Sequence, residues 1–83
     1  MRVSAQSHPQ MVAGAIAGVI RESGSAEIQS IGACATNQAI KAIAIARSYL
    51  REEGADIVCR PAFIGVAIDD ETRTAIGLHV TKR

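Results

Sequence analysis

The chain has 83 residues, of which 48% are hydrophobic and 20% are charged, and its formal net charge is +1 at pH 7. These values predict a single folded domain and exclude an intrinsically disordered chain. The small net charge also excludes a strong overall attraction to nucleic acid or an anionic membrane, so any contact with a polyanion must come from locally placed basic groups.

The first predicted elements are a short strand and a helix. Residues 2–6 alternate polar and apolar side chains, which predicts a strand with one buried face. A residue before proline avoids the helical region, whereas proline suits the first helical position. The helix is therefore predicted to begin at Pro9 with His8 as its N-cap, and to end at Gly24.

One face of this helix carries apolar residues at helical spacing. We predict that this face is buried and that Ala17 lies on the opposite side; the apolar positions are Val12, Ile16, Val19 and Ile20. Each of Gly14 and Gly18 costs a helix about 1 kcal/mol relative to alanine. Close packing against a second helix would offset that cost, so both glycines are predicted to lie in a helix–helix contact.

A second predicted strand, residues 26–31, leads through Gly32 into the longest helix. The helix starts either at Ala33, or at Asn37 with Thr36 as its cap, and the sequence favours neither. Its core stripe consists mainly of alanine: Ala35, Ala39, Ala42, Ile43, Ala46 and Leu50. Ile40 lies outside this stripe, on a flank that is covered either by the rest of the domain or by a second copy of the chain.

The last two strands are predicted to form an antiparallel hairpin. In the first of them, residues 56–68, Pro61 and Gly65 require an edge position or a bulge. The turn is predicted at residues 69–72. Residues 73–81 then alternate, with inward positions Ile76, Leu78 and Val80 and outward positions Ala75, Gly77, His79 and Thr81.

The predicted element order is β-α-β-α-β-β, which gives the fold class α/β in the two-layer α+β sense. Crossover connections make the early strands parallel, and the final hairpin is antiparallel. We therefore predict a four-stranded mixed sheet with two helices on one face.

No pattern in the sequence indicates catalysis, a metal or a cofactor. Nucleotide-binding glycine motifs are absent, and neither His8 nor His79 has a cysteine or carboxylate at metal-ligand spacing. Cys34 lies near a helix start, where its thiol would be activated, but no sequence feature supplies a partner base. The chain is therefore predicted not to be an enzyme, and to hold neither metal nor cofactor.

The same sequence predicts a cytoplasmic protein without a membrane segment. Cys34 and Cys59 have no CxxC spacing, and two lone thiols fit a reducing compartment. The longest stretch without a polar side chain, Met11–Ile20, is about half of the roughly 20 residues that a membrane span requires.

Two predicted helix starts are candidate phosphate-binding sites. Ser7 and His8 precede the first helix, and residues 32–38 precede or begin the second. Helix starts expose unpaired N–H groups and the positive end of a dipole, and parallel crossovers bring both starts to the same edge of the sheet. Lys41 would add a positive charge there. The alternative interpretation is ordinary helix capping on a solvated face.

Two long segments resemble the stage V sporulation protein S family. They are VAGAIAGVIRESGSAEIQSIGACATNQAIKAIAIARSYL, from Val12 to Leu50, and VCRPAFIGVAIDDETRTAIGLHV, from Val58 to Val80. That family in turn resembles the Alba domain, a dimeric nucleic-acid-binding fold with the element order predicted above. The resemblance implies a bacterial regulator of sporulation or of events at cell division that forms a homodimer and binds DNA or RNA.

By analogy with the Alba domain, contacts with nucleic acid are expected from the first turn, the start of the second helix and the hairpin. The corresponding residues are Gln6, Ser7, His8, Gly32, Asn37, Gln38, Lys41, Arg60 and Arg73. Alba proteins carry lysines in the first turn, a basic residue at the position of Ile31, and a basic hairpin tip where this chain has Asp69, Asp70 and Glu71. Because affinity scales with the number of phosphates neutralised, the expected binding is weak, non-specific and salt-sensitive. The alternative is a regulator that binds a protein partner through the same fold.

Overall fold

The computed structural model describes all residues from 1 to 83 and has the predicted element order. The six elements, in chain order, are β1 (Arg2–Val3), α1 (Pro9–Ser23), β2 (Ser25–Ser30), α2 (Ala33–Glu52), β3 (Ile57–Ile68) and β4 (Glu71–Lys82). As predicted, His8 is the N-cap of α1, and Gly24 ends that helix in the left-handed conformation, with a φ of 80°. Helix α2 starts at Ala33, which decides between the two starts that the sequence left open.

The four strands form one mixed sheet in the order β1-β2-β4-β3. Strands β1 and β2 are parallel, whereas β4 is antiparallel to both of its neighbours. Side chains from alternate strand positions meet both helices in one hydrophobic core, to which the sheet contributes Val3, Ala26, Ile28, Ile57, Leu78 and Val80. The predicted fold class, a two-layer α/β arrangement with the helices on one face, is confirmed.

The two helices pack against each other through alanine. All six predicted core positions of α2 are buried. On α1, however, the buried face consists of Ala13, Ile16, Ala17 and Ile20, so the prediction that Ala17 faces outward is wrong. Val19, predicted to be buried, is 36% exposed. The physical reason is that α2 packs close to α1, where only small side chains such as alanine fit, and the bulkier Val19 lies outside the contact.

The glycines of α1 do not lie in this contact. A Cβ atom added at Gly14 or Gly18 would meet no atom within 4 Å. The prediction that they allow close approach of the second helix is therefore wrong, because Ala13 and Ala17 occupy that position. Both glycines weaken the helix without any compensating contact inside the protomer.

We expect Gly14→Ala and Gly18→Ala each to raise the free energy of unfolding by about 1 kcal/mol. Alanine restricts the unfolded chain and fits the helix, and the space around each position is open. Urea unfolding followed by circular dichroism measures the change. A loss of stability in either variant would contradict the open environment of that glycine.

The hairpin turn is tighter than predicted. Asp69 and Asp70 have φ values of 49° and 64°, which is typical of a two-residue turn, so β4 already begins at Glu71. Pro61 is accommodated as expected because β3 lies at the sheet edge. The register with β4 is continuous from Ile57 to Ile68, so no bulge is needed.

Two residues of β4 that were predicted to be outward are nevertheless buried. Ala75 and Gly77 alternate with the core-facing residues Leu78 and Val80, which places them on the sheet face away from the helices. There Ile64 covers them: it is paired with Ala75, and its Cγ2 atom lies 3.0 Å from where a Cβ atom of Gly77 would be. Their burial depends on a cross-strand neighbour, which alternation within one strand does not reveal.

The hairpin extends beyond the rest of the sheet. Strand β2 pairs with β4 only between Ile76 and Thr81, whereas β3 pairs with β4 along its whole length. Residues 64–75 therefore form a projecting arm, which we call the hairpin arm. It makes the molecule elongated, with principal dimensions of 43 × 21 × 17 Å.

Candidate nucleic-acid interface

The starts of the two helices lie together, at the end of the molecule from which the hairpin arm projects. Parallel pairing of β1 with β2 brings the ends of both strands, and hence both helix starts, to one edge. The side-chain amide of Gln38 donates a hydrogen bond to the Ser7 carbonyl oxygen at 3.0 Å and joins the two starts directly. Neither helix has a capping side chain or an acidic residue in its first turn. The first N–H groups of both helices are therefore free of a competing carboxylate.

A buried hydroxyl pair holds the start of α2 on the sheet. Ser30, the only fully buried polar side chain, has its Oγ 2.8 Å from Oγ1 of Thr36. The Thr36 hydroxyl also lies 2.9 Å from the Gly32 carbonyl oxygen, to which it donates. Thr36 is thus an internal residue of α2 that anchors its first turn, and not the cap of a helix that starts at Asn37.

Lys41 lies beside the start of the neighbouring helix. Together with Pro9 and Gln10 of α1 and Ala44 and Ile45 of α2, it lines a shallow depression of about 430 Å³. Its side chain is exposed and forms no ion pair within the protomer. The structure therefore places a free ammonium group next to the joined helix starts, close to Ser7, His8 and Gln38.

Gly32 and Asn37 border a different and larger cleft. This cleft, of about 580 Å³, opens between the first turns of α2 and the hairpin arm, and Ile40, Phe63, Thr74 and Ile76 also line it. Phe63 is 81% exposed. The sequence analysis assigned no role to Phe63. A large aromatic side chain that is exposed on an edge strand is unusual, and Pro61, two positions earlier, was the only signal that this strand lies at an edge.

The two arginines of the hairpin do not join the helix starts. Arg60 is paired with His79 and Arg73 with Val66, and both alternate with the core-facing positions of their strands. They therefore lie on the sheet face away from the helices. On that face His79 also contacts the Glu27 carboxylate of β2, so Arg60 has an acidic group nearby on the open face.

A cluster of basic residues lies at the opposite end of the molecule, and we call it the basic end: Arg47, Arg51 and Arg83. The Nε of Arg47 donates to Oδ1 of Asp56 at 2.7 Å, and Arg83 lies 3.8 Å from the same carboxylate. The Arg47 hydrogen bond, followed by one from the Ile57 N–H, lowers the pKa of Asp56 to about 2. Arg47 and Arg51 lie one turn apart on α2, and Asp56 and Arg83 join them only in the folded chain.

Other chemical groups are dispersed. No three His, Cys, Asp or Glu side chains lie together as a metal site would require. Cys34 is exposed, and Cys59 is partly buried among apolar groups, which raises the pKa of its thiol. Neither helix combines the length and the apolar character needed to cross a bilayer.

The model of the stage V sporulation protein S family matches residues 1–83. The match spans every residue of both helices and all four strands. It includes the two segments on which the resemblance in the sequence was based.

Proposed function

The chain belongs to the stage V sporulation protein S family, and from that premise we propose that it is a cytoplasmic, dimeric nucleic-acid-binding regulator that acts without catalysis. Membership in the family implies a role related to sporulation. Binding of DNA or RNA, self-association and an effect on sporulation or cell-division events are our proposal.

The joined helix starts are the observation that carries the proposal. The hydrogen bond from Gln38 to Ser7 fixes two sets of unpaired N–H groups at one edge, and no side chain caps either set. Two aligned dipole ends with free donors favour a phosphate oxygen. Lys41 adds a charge at the same place. Contacts of this kind recognise the nucleic-acid backbone and not the base sequence.

The number of cations at this surface limits the affinity. Lys41 is the only lysine or arginine among the proposed contacts at the helix starts, since Arg60 and Arg73 lie on the other face of the sheet. Few phosphates are therefore neutralised by each copy, and a dimer doubles the number. Weak, non-specific and strongly salt-dependent binding follows from this count.

Gel retardation of duplex DNA and duplex RNA at about 50 and 200 mM salt tests the proposal. We expect retardation of at least one duplex at the lower concentration and its loss at the higher. If neither duplex is retarded at either concentration, the proposal that this protein binds nucleic acid is wrong.

We expect Lys41→Glu to weaken binding about 3- to 10-fold and to lower the salt slope by about 1 for each bound copy, because each copy loses one phosphate contact. Lys82→Glu is the matched control. It makes the same change in net charge at the C-terminal end of β4, far from the joined helix starts. Fluorescence anisotropy with labelled duplex measures both variants. Equal affinities for the Lys41 variant and the unchanged chain would exclude Lys41 from the interface.

A regulator that binds a protein partner is the second candidate. The acidic hairpin tip, Asp69, Asp70 and Glu71, and the exposed apolar residues Ile40 and Phe63 favour it. A pull-down from cell lysate with and without nuclease separates the candidates. Partners lost on nuclease treatment support nucleic-acid binding, and a protein retained after it supports the alternative.

A further inference from the structure

One long edge of the molecule is apolar and has no partner within the protomer. Here the exposed flank of α2 borders the edge strand β3, and a groove of about 380 Å³ runs between them. Ile40, which is 48% exposed, lines this groove with Val58, which is 42% exposed, and also lines the adjoining cleft with Phe63, which is 81% exposed. Three neighbouring exposed apolar residues indicate a contact surface, whereas single ones are ordinary.

The backbone of β3 is also open along this edge. Pro61 has no N–H, and the Ile57 N–H bonds to the Asp56 side chain, so neither residue donates a hydrogen bond to β4. The Arg83 N–H donates to the Asp56 carbonyl oxygen, so Asp56 faces β4. Backbone groups in an antiparallel strand alternate in direction, so the odd-numbered residues from Ile57 to Phe63 point outward. The N–H groups of Cys59 and Phe63 thus face away from β4. A strand with free, outward-facing groups is a template for another strand.

Charge is distributed unequally between the two ends of this edge. The hairpin tip carries three acidic residues, Asp69, Asp70 and Glu71, whereas the other end carries the basic end, Arg47, Arg51 and Arg83. Two acidic residues follow Arg51 in the chain: Glu53 is paired with Arg21 of α1, and Glu52 is exposed. Within the basic end, only one acidic side chain, Asp56, bonds to the arginines. The two charged groups are too far apart to meet within one copy, because β3 has 12 residues and spans about 36–40 Å.

A two-fold arrangement brings these charges together. If two copies place their β3 strands side by side and antiparallel, the middle of one strand, near Phe63, meets the middle of the other. The turn that follows Ile68 in one copy then lies beside Ile57 in the other, which is where the basic end begins. Symmetry makes the same contact twice.

We infer that a second copy of this chain docks antiparallel along β3, and that the acidic hairpin tip of each copy binds the basic end of the other. This inference rests on the self-association included in the proposed function and names the surface and the charges that specify it. In the dimer the tip carboxylates are paired with arginines of the partner subunit. They therefore no longer repel phosphate near the joined helix starts.

A charge exchange tests the inference. The tip variant is Asp69→Asn, Asp70→Gly, Glu71→Lys, which makes the tip basic and keeps residues that suit this turn. The end variant is Arg51→Glu with Arg83→Glu, which reverses charge but leaves the Arg47 bond to Asp56 intact. Sedimentation equilibrium measures association of each variant alone and of their equimolar mixture, and far-ultraviolet circular dichroism confirms that each is folded.

We expect each variant alone to have a dimer dissociation constant about tenfold or more above that of the unchanged chain, because like charges then meet. In the mixed dimer, both contacts pair opposite charges, so association is restored. If the unchanged chain is monomeric, if either variant dimerises normally, or if the mixture does not associate, the inference is wrong.

A second measurement uses the unchanged chain and therefore does not depend on whether any variant folds. Its dimer dissociation constant is expected to rise with salt, since exposed charges are screened, and no rise would overturn the electrostatic contact. Gel retardation on the same samples separates the two proposals. A monomer that binds duplex contradicts self-association and with it this inference, but leaves nucleic-acid binding intact. A charge-specified dimer that binds no duplex contradicts only nucleic-acid binding.

Discussion

Replacing Phe63 with alanine is expected to raise the dissociation constant for self-association by about 30-fold or more. The ring is 81% exposed in the protomer and lies at the middle of β3, so both copies of Phe63 come close to the two-fold axis of the inferred dimer. Aromatic residues at the centre of an interface contribute most of its binding energy. Sedimentation equilibrium over a range of protein concentrations measures the change.

The same variant should leave the protomer as stable as before, within about 0.5 kcal/mol, because little of the ring is buried there. Tyr49→Ala is the matched control: Tyr49 is the only other aromatic residue, is also exposed, and does not line the groove beside β3. A dimer that tolerates Phe63→Ala as well as Tyr49→Ala would rule out β3 as the contact surface.

Ile16→Ala is expected to lower the free energy of unfolding by about 2–5 kcal/mol. The Ile16 side chain is fully buried between α1 and the sheet, where it belongs to the same core cluster as Ile28 and Leu78. Its truncation removes apolar contacts and leaves a cavity that the alanine-lined helix contact has little spare bulk to fill. A domain of this length has a total stability of only about 4–12 kcal/mol, so the variant is expected to be largely unfolded at elevated temperature.

Urea unfolding compares this variant with Met11→Ala on the same helix. Met11 is 74% exposed, so its truncation is expected to change stability by less than about 0.5 kcal/mol. Alanine favours a helix at both positions, which removes helix propensity as an explanation. Similar losses in the two variants would show that α1 is oriented differently from the structure described above.

The dimer contact and the proposed phosphate contact use different parts of the surface. The joined helix starts need accessible N–H groups and Lys41, whereas the dimer uses the outer flank of α2 and the edge of β3. In the inferred dimer the acidic hairpin tip contacts the partner subunit, so its carboxylates stabilise the dimer. An acidic tip is unfavourable for an arm that binds nucleic acid directly, but it suits an arm that binds arginine.

Local pattern was sufficient for most of the fold. Proline at position 9 and glycine at position 24 bounded α1 correctly, because these residues act on the backbone of their own segment. The six-residue core stripe of α2 was also predicted correctly, since its periodicity is a property of one helix. Errors occurred where a neighbour decides the outcome. Ala17 is buried because α2 approaches it closely, and Gly77 is buried because Ile64 crosses over it.

The candidate site shows the same division. The sequence placed both helix starts at one edge of the sheet, but only the structure shows that Gln38 bonds to Ser7 and that Arg60 and Arg73 lie on the other face. It also gave no indication that Phe63 is exposed or that Asp56 joins Arg47 to Arg83.

The amino-acid sequence by itself determined the order of helices and strands, the mixed sheet and the family of this protein. Only the tertiary structure decided which residues share a surface, where the apolar edge lies and how charge is divided between its ends. Periodicity and backbone preference act over a few neighbouring residues. Contacts such as that between Arg47 and Asp56, or between Gln38 and Ser7, instead depend on how whole elements pack.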